Sequence, residues 1–323
     1  MLLLLSSLLT PMVFAQLRPT GGRDTSFTIQ KSFLQEKKQY PVITLADTTL
    51  PEGVTVDRNI PFSTPYPGRD LLLDVYTPSA SAQKLRPAIL MIHGGGWRSG
   101  DRSQSNALAG QLAARGFVTV PVEYRLSTEA LYPAAVFDVK AAIRWLRANA
   151  RGYGIDPDQI AALGFSAGGQ LAALVGSTNG KKQFEGKRGQ AGTSSAVQAI
   201  VDIDGILAFI HPESGEGDDS RRTSAATYWF GYSKAERPDL WQQASALTHA
   251  GKNTPPILFL NSSVARMHAG RDDLIATLNN QGVYSEVHTF PDAPHTFLFF
   301  NPWFGPTVTY IHDFLNRVFE YQK

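Results

Sequence analysis

Short runs of apolar residues, separated by turn residues, dominate the pattern of the chain from residue 42 onward. Four runs open this region, at residues 42–45, 54–60, 71–76 and 88–92. Short apolar runs that are bounded by turn-forming residues are typical of β-strands. The pattern therefore predicts a group of strands at the start of the folded region.

Strands and helices alternate after residue 92. The pattern predicts helices at residues 103–115, 133–150 and 167–177, and strands at residues 117–122 and 160–164. It continues with strands at 199–203, 257–260 and 285–290, a helix at 269–280, and a closing helix that carries Val308, Ile311, Phe314, Leu315 and Phe319. Such alternation predicts an α/β fold with a mostly parallel central sheet and helices on both faces.

One folded domain is expected at residues 41–323, since an α/β fold of this length is commonly a single domain. Residues 16–40 are polar and without period, and we expect a leader of little function there. Residues 178–196 are rich in Gly, Lys, Gln and Ser, which indicates a surface excursion. An insertion at about 205–250 carries an aromatic cluster that could roof a pocket.

Residues 1–15 are predominantly apolar and end in Ala15, which is followed by Gln16. The run is too short for a mature membrane helix but is typical of a signal peptide. No Lys or Arg lies between Met1 and the apolar run, where signal peptides usually carry positive charge, so a buried first helix is the alternative. We expect a secreted or periplasmic protein without stable membrane insertion once residues 1–15 are removed.

The charge and the residue composition exclude several kinds of functional site. The 323-residue chain has a formal net charge of +2 and no cysteine, which excludes disulfides, thiolate metal sites and cysteine nucleophiles. We find no basic run interleaved with aromatic residues, and therefore expect no nucleic-acid partner. No His, Asp or Glu spacing indicates a metal site, and neither a metal nor an organic cofactor is expected. The sequence leaves the oligomeric state open.

The segment at residues 160–169 runs from an apolar strand through Gly164-Phe-Ser166-Ala-Gly168 into a predicted helix. A Gly-x-Ser-x-Gly motif in a strand-turn-helix context exposes the serine hydroxyl above the sheet. The amino end of the following helix favours negative charge nearby. These features predict that Ser166 is a nucleophile.

A glycine run, His93-Gly-Gly-Gly96-Trp97, follows the predicted strand at residues 88–92. Residues without side chains allow backbone N–H groups to approach a reacting carbonyl oxygen, and each well-placed donor contributes about 3 kcal/mol at a transition state. We predict an oxyanion hole formed by Gly95, Gly96 and the N–H of Ala167. His93 is interpreted as a structural anchor of the loop.

Together, these two motifs resemble the esterase and lipase branch of the α/β hydrolases, over residues 60–321. The segments at residues 97–101, 123–126 and 132–135 resemble secreted carbohydrate esterases of the acetyl-xylan and feruloyl esterase type, and pectin esterases of this fold are also similar. The resemblance implies an α/β-hydrolase fold and a serine carboxylic-ester hydrolase that acts on acetyl, methyl or feruloyl substituents of plant-type polysaccharides, including pectin. An amidase or peptidase, or a non-catalytic binding protein of this fold, is the alternative.

The general base is expected in a loop after the last strand, where His295 stands. Other histidines, such as His249, His288 and His312, lie in or beside predicted strands and helices and are interpreted as packed or solvated. His295 is therefore the predicted base.

The acid of a catalytic triad usually follows the penultimate strand of this fold, but residues 260–265 carry no carboxylate. We predict Asp204, which ends the strand at 199–203, as in lipases whose acid follows the preceding strand. Such a carboxylate accepts the second imidazole N–H and stabilises the imidazolium ion. Asp272 is the main alternative candidate for the acid of the triad. A simple turn cap is the alternative role for Asp204.

Substrate-binding residues are expected near the altered segment that follows residue 260. Arg266 and Arg271 could pair with a carboxylate, because guanidinium groups bind carboxylates in a bidentate manner, and we hypothesise that they recognise a uronic acid beside the ester. A solvated helix start with Arg271 paired to an aspartate is the alternative. Trp97 and the aromatic residues Tyr124, Trp229 and Trp303 are candidates for stacking on sugar rings, or for the core.

Overall fold

A computed structural model describes residues 16–22, 24–79, 85–190 and 192–320 of the chain. The predicted signal peptide at residues 1–15 lies outside these ranges. Within them, no helix is long and apolar enough to cross a membrane.

An eight-stranded sheet forms the centre of the fold. The strands found in the described residues are β1 (Thr44–Leu45), β2 (Val54–Tyr66), β3 (Arg69–Pro78), β4 (Arg86–Ile92), β5 (Val118–Val122), β6 (Ile155–Phe165), β7 (Ala199–Ile203), β8 (Ile257–Asn261), β9 (Ser285–Thr289) and β10 (Phe300–Asn301). The spatial order of the large sheet is β2-β3-β5-β4-β6-β7-β8-β9, and β1 pairs separately with β10. In the large sheet, β2 with β3 and β3 with β5 are antiparallel pairs, whereas all later pairs are parallel.

Helices cover both faces of this sheet. The described residues form α1 (Ile29–Glu36), α2 (Asn106–Ala113), α3 (Ala134–Ala148), α4 (Ala167–Ser177), α5 (Ala225–Phe230), α6 (Pro238–Gln243), α7 (Arg271–Asn280) and α8 (Phe304–Glu320). Side chains of α3, α4 and α7 pack in one apolar cluster, and those of α2 and α8 pack in another. The predicted α/β-hydrolase fold is confirmed.

The central strand β4 shows why the sequence of this sheet is continuously apolar. Leu90 and Ile92 belong to the cluster on one face, and Ile89 and Met91 belong to the cluster on the other. Successive side chains of a strand point to opposite faces, so a strand that is covered on both sides has no polar face.

The N-terminal segment, residues 16–40, differs from the expected leader. It contains α1 and packs along the end of the sheet that carries the loops after β9. The ring of Phe27 lies 6.4 Å from that of Phe299, and the ring of Tyr40 lies 5.5 Å from that of Trp303. Aromatic contacts, which have no periodicity in the sequence, therefore fix this segment to the domain.

Candidate active site

Ser166, Asp204 and His295 come together at one edge of the sheet. Ser166 follows β6, Asp204 follows β7, and His295 lies in the loop after β9. The carboxyl ends of parallel strands meet at the same edge, so residues that are distant in the sequence converge there.

Ser166 occupies a sharp turn between β6 and α4. Its φ of 56° and ψ of −120° are unusual for a residue with a side chain, and such conformations cost about 1–3 kcal/mol. The backbone N–H of Ser166 donates to the carbonyl oxygen of Ile203 at 2.8 Å, which fixes the turn against β7. A Cβ atom at Gly164 would collide with the carbonyl oxygen of Gly168, so the turn requires glycine there.

His295 bridges the other two side chains. Oγ of Ser166 donates to Nε2 of His295 at 2.9 Å, and Nδ1 of His295 donates to Oδ2 of Asp204 at 2.9 Å. A carboxylate can only accept, so Nδ1 carries the proton and Nε2 remains the acceptor. This tautomer is the one that can take a proton from Ser166.

Asp204 is completely buried. Burial alone would raise its pKa, but interactions with His268, His295 and Ser262 outweigh it and lower the pKa to about 2. The backbone N–H of Ser262 donates to Oδ1 at 2.8 Å. Asp204 is therefore an anion throughout the neutral pH range, and Oδ2 is directed at His295.

Asp272, the alternative candidate for the acid of the triad, lies at the surface. The side chain of Asp272 is 75% exposed, and its carboxylate accepts a hydrogen bond from Nε of Arg271 at 2.8 Å. His288 and His312 bind local partners, Glu286 and Asp313. The structure thus brings Asp204, and not Asp272, against His295.

The glycine loop after β4 presents backbone N–H groups. The carbonyl oxygen of Gly95 accepts hydrogen bonds from N–H of Arg98 at 3.1 Å, N–H of Ser99 at 3.0 Å and Oγ of Ser99 at 2.9 Å. A trans peptide directs its C=O and N–H to opposite sides. The N–H of Gly96 therefore points away from Arg98 and Ser99, which bind the carbonyl oxygen of the same peptide. Both glycines line the same pocket as Ser166 and Ala167.

His93 anchors this loop from behind, as the sequence suggests. Its ring stacks on that of Tyr124 at 4.4 Å, and the hydroxyl of Tyr124 donates to the carbonyl oxygen of His93 at 3.0 Å. Both side chains are buried. Tyr124 is therefore a core residue and offers no face to a sugar ring.

A pocket of about 760 Å³ opens over Ser166 and His295. Besides the glycine loop, its wall includes Asp24 and Phe27 from the N-terminal segment, Tyr228 and Glu216 from the insertion, and Arg266. Burial raises the pKa of Glu216. Sequence reasoning missed Asp24 and Phe27, because nothing in the pattern of residues 16–40 indicates that this segment reaches the site.

Two of the expected substrate-binding residues, Trp97 and Arg271, are held by partners inside the domain. Trp97 lines the pocket but is only 3% exposed, because its ring stacks on Trp229 at 4.9 Å and its Nε1 donates to Gln170 at 3.0 Å. Arg271 does not line the pocket, since its guanidinium group donates to Asn261 at 2.7 Å and to Asp272. Trp97 is thus held by stacking and a hydrogen bond, and Arg271 is held by two hydrogen-bond acceptors.

Arg266 keeps a position that suits ligand binding. Its side chain lies on the pocket wall, is 52% exposed, and is 3.4 Å from the carboxylate of Glu216. Among the described residues, we find no group of three His, Asp or Glu side chains placed to hold a metal ion.

Fold and site together have the arrangement of a serine hydrolase of the α/β-hydrolase fold. The sequence family described as BD-FAE matches residues 73–272. The chain therefore belongs to this family of α/β-hydrolase esterases.

Comparison with individual proteins gives the same class. The chain is 31% identical to the esterase LipC of Mycobacterium tuberculosis over 263 residues, which is 76% of this chain and 62% of LipC. It spans between 51% and 62% of the length of the first three curated relatives it matches. A carbohydrate esterase from gut microbiota, solved in a truncated form, superimposes with a TM-score of 0.69 at 26% identity, over 82% of this chain and 96% of that one. A bifunctional GH43-CE protein of Bacteroides eggerthii superimposes with a TM-score of 0.69 at 27% identity, over 81% of this chain and 38% of that one.

Proposed function

We propose that this protein is a serine carboxylic-ester hydrolase that acts on ester substituents of polysaccharides. The observation that carries the proposal is the continuous hydrogen-bonded path from Oγ of Ser166 through His295 to the buried anion of Asp204, with 2.9 Å at each step.

Ester cleavage at this site proceeds in two halves. Oγ of Ser166 attacks the ester carbonyl while Nε2 of His295 takes its proton, and the imidazolium then protonates the departing alcohol. Water next attacks the acyl carbonyl and gives a proton to Nε2 of His295, and the imidazolium returns that proton to Oγ of Ser166 as the bond to the acid breaks. Asp204 stabilises the imidazolium ion in both halves, because its carboxylate is the partner of Nδ1.

The tetrahedral oxyanion is stabilised by N–H groups of Gly95, Gly96 and Ala167. No acceptor among the described residues pairs with these three N–H groups. Donors that are fixed before the reaction cost no reorganisation, and each contributes about 3 kcal/mol. The hydrogen bonds on the carbonyl oxygen of Gly95 fix the N–H of Gly96 in this way.

The substrate class is proposed from the pocket and from the neighbours. The pocket wall carries carboxylate, guanidinium and aromatic groups, which suit a polar, sugar-like alcohol. One structural neighbour is described as a carbohydrate esterase, and another as a bifunctional GH43-CE protein. We propose acetyl, methyl or feruloyl esters of plant-type polysaccharides, with pectin favoured if Arg266 binds the carboxylate of a uronic acid.

The test is product release from defined polymers. The chain from Gln16 is incubated with acetylated xylan, feruloylated arabinoxylan and methylated, acetylated pectin, and acetate, methanol and ferulate are measured by chromatography. We expect release by the parent and a loss of at least about 10⁴-fold for Ser166→Ala and His295→Ala. Asp204→Asn should lower kcat about 10⁴-fold, whereas the matched Asp272→Asn should have little effect.

Several results would contradict the proposal. Ester turnover that survives Ser166→Ala would exclude the assigned nucleophile, and a reversed order of the two aspartate variants would transfer the acid to Asp272. Cleavage of amides in preference to all esters would indicate an amidase or peptidase. No turnover of polymers or of small activated esters would favour a binding protein.

Export is part of the same proposal. An apolar run at residues 2–14 followed by Ala15 supports cleavage before Gln16. Expression of the full chain, followed by fractionation and mass spectrometry of its amino end, tests this. Recovery of the uncleaved chain in the cytoplasmic fraction would contradict it.

A further inference from the structure

Two imidazole rings meet the carboxylate of Asp204. Nδ1 of His295 lies 2.9 Å from Oδ2, and Nε2 of His268 lies 3.4 Å from Oδ1. The N–H of Ser262 also donates to Oδ1, at 2.8 Å. The acid therefore has a partner on each oxygen, and the roles assigned above use only one of the two histidines.

His268 comes from the loop after β8, the loop in which this fold usually carries its acid. Here the loop supplies groups that bind an acid located on the neighbouring strand end. It provides the N–H of Ser262 directly after β8, and His268 at the end of the 3-10 helix Ala265–His268. Arg271 donates to Asn261 at 2.7 Å and so ties the two ends of this loop together.

The surroundings of His268 leave Asp204 as its partner. The side chain of His268 is 16% exposed, and its Nε2 atom is shielded from solvent. Nε2 makes no hydrogen bond among the described residues, and the carboxylate oxygen that faces it is Oδ1 of Asp204 at 3.4 Å. Buried ring N–H groups are nearly always hydrogen-bonded, and contacts in unliganded active sites are often long and tighten during the reaction.

We propose that His268 is a positioning residue, which holds Oδ1 of Asp204 so that Oδ2 stays directed at His295. The inference rests on the proposed function, because it assigns a role relative to the triad. His268 is absent from the pocket wall, whereas its neighbours Arg266 and Met267 line it. Loss of the contact should therefore lower kcat and leave KM nearly unchanged.

The effect on pH dependence follows from the charges around the carboxylate. Asp202 lies on β7 two residues before Asp204, Arg271 lies at the start of α7, and Glu36 on α1 faces His295. None of these groups changes when His268 is replaced. Without the donor that holds Oδ1, the contact of Oδ2 with His295 weakens and the imidazolium ion is stabilised less, so the acidic limb of kcat/KM should move to lower pH.

The experiment compares three replacements of one side chain. His268→Gln keeps an N–H donor near the position of Nε2, His268→Leu removes the donor, and His268→Asn is too short to reach Asp204. We expect kcat to fall about 10–100-fold for the Leu and Asn variants, by analogy with outer partners of metal-bound histidines, and to stay within about threefold of the parent for Gln. The acidic limb of kcat/KM should shift in the Leu and Asn variants and stay in place in the Gln variant.

Two controls separate a positioning role from a structural one. His312→Leu replaces a histidine on α8 whose partners are Asp313 and Asn316, and it should change neither kcat nor the pH profile. Thermal unfolding of every variant reports folding. If His268→Leu does not fold, the comparison of Gln with Asn carries the test.

The inference is overturned if the variants without a donor retain kcat within twofold and keep the acidic limb in place. It is also overturned if Gln loses as much activity as Asn. Ser166→Ala, measured in parallel, distinguishes the two levels of the argument. Turnover that survives Ser166→Ala overturns the proposed function, whereas loss there with no effect at His268 overturns only the present inference.

Discussion

Oδ1 of the buried Asp202 side chain accepts a hydrogen bond from the backbone N–H of Gly205 at 2.8 Å, and this bond closes the turn that carries Asp204. Asp204 has a φ of 52°, in the left-handed region. A Cβ atom at Gly205 would collide with Asp202 and with the backbone N of Gln170 on α4. The turns that carry the nucleophile and the acid are therefore in contact, and Asp202 fixes the turn that carries the acid.

Replacing Asp202 with asparagine should change the pH dependence of stability. Burial raises the pKa of Asp202 well above 3.8, so the folded protein keeps its proton where the unfolded chain has lost it. The free energy of unfolding should fall by about 1.4 kcal/mol per pH unit from pH 3.8 up to the folded pKa. Asp202→Asn keeps the acceptor for Gly205 and has no proton to lose. Urea unfolding between pH 4 and pH 8 should show a shallower decline for the variant, and parallel curves would contradict this.

The opposite sign is expected for Asp204. Its folded pKa is about 2 and the unfolded value is 3.8, so its ionisation stabilises the fold above pH 3.8. This contribution, about 2 kcal/mol, should be lost as the pH falls from 3.8 through about 2. Asp204→Asn should flatten the acid side of the stability curve, whereas Asp272→Asn should follow the parent. Equal acid slopes for all three proteins would exclude this linkage.

Ser99 should matter for catalysis through the peptide between Gly95 and Gly96. Its hydroxyl donates to the carbonyl oxygen of Gly95 at 2.9 Å, and Ser99→Ala removes one of the contacts that orient the N–H of Gly96. We expect kcat to fall about tenfold with KM unchanged, and stability to fall by about 1 kcal/mol.

Ser127 provides the matched control for Ser99. Its hydroxyl is also buried but has no partner among the described residues, so Ser127→Ala should not lower kcat. Equal effects of the two substitutions would show that the Ser99 hydroxyl does not act on the oxyanion hole. Steady-state kinetics on a small acetate ester makes the comparison.

The N-terminal segment should influence the choice of substrate. Phe27 lines the pocket, and Asp24 accepts a hydrogen bond from Arg98 at 3.1 Å. Phe27→Ala removes part of the wall, so KM for polymeric or aromatic esters should change about three- to tenfold, while small esters are little affected. Leu34→Ala, in the same segment but 58% exposed, is the control. Identical profiles for both variants would exclude a role of Phe27 in binding.

Arg266 should report on the charge of the substrate. We expect Arg266→Gln to raise KM several-fold for esters that neighbour a carboxylate and to leave neutral acetyl esters unchanged. Arg237→Gln is the control, because the guanidinium group of Arg237 donates to Asp239, lies over the ring of Tyr232 and does not line the pocket. Equal loss on neutral and acidic substrates would exclude recognition of a uronic acid by Arg266. Kinetics on methylated pectin and acetylated xylan decide this point.

The sequence by itself determined the fold class and the positions of the strand-turn-helix serine and the glycine loop. Both depend on local rules. The alternation of predicted strands and helices along the chain indicates the fold class, and only glycine fits the turns around Ser166. The position of His295 followed from its place after the last strand. These features could be predicted because each is defined within about ten residues of chain.

Only the tertiary structure decided which carboxylate meets His295 and which side chains form the pocket. The sequence favours Asp204 and leaves Asp272 as the alternative, and the two differ in burial, which depends on how β7 and β8 pack. The contact of His268 with Asp204, the burial of Trp97 and the approach of Phe27 to Ser166 join segments that are distant in the chain. Contacts of this kind depend on the packing of the whole domain, and no local pattern of residues encodes them.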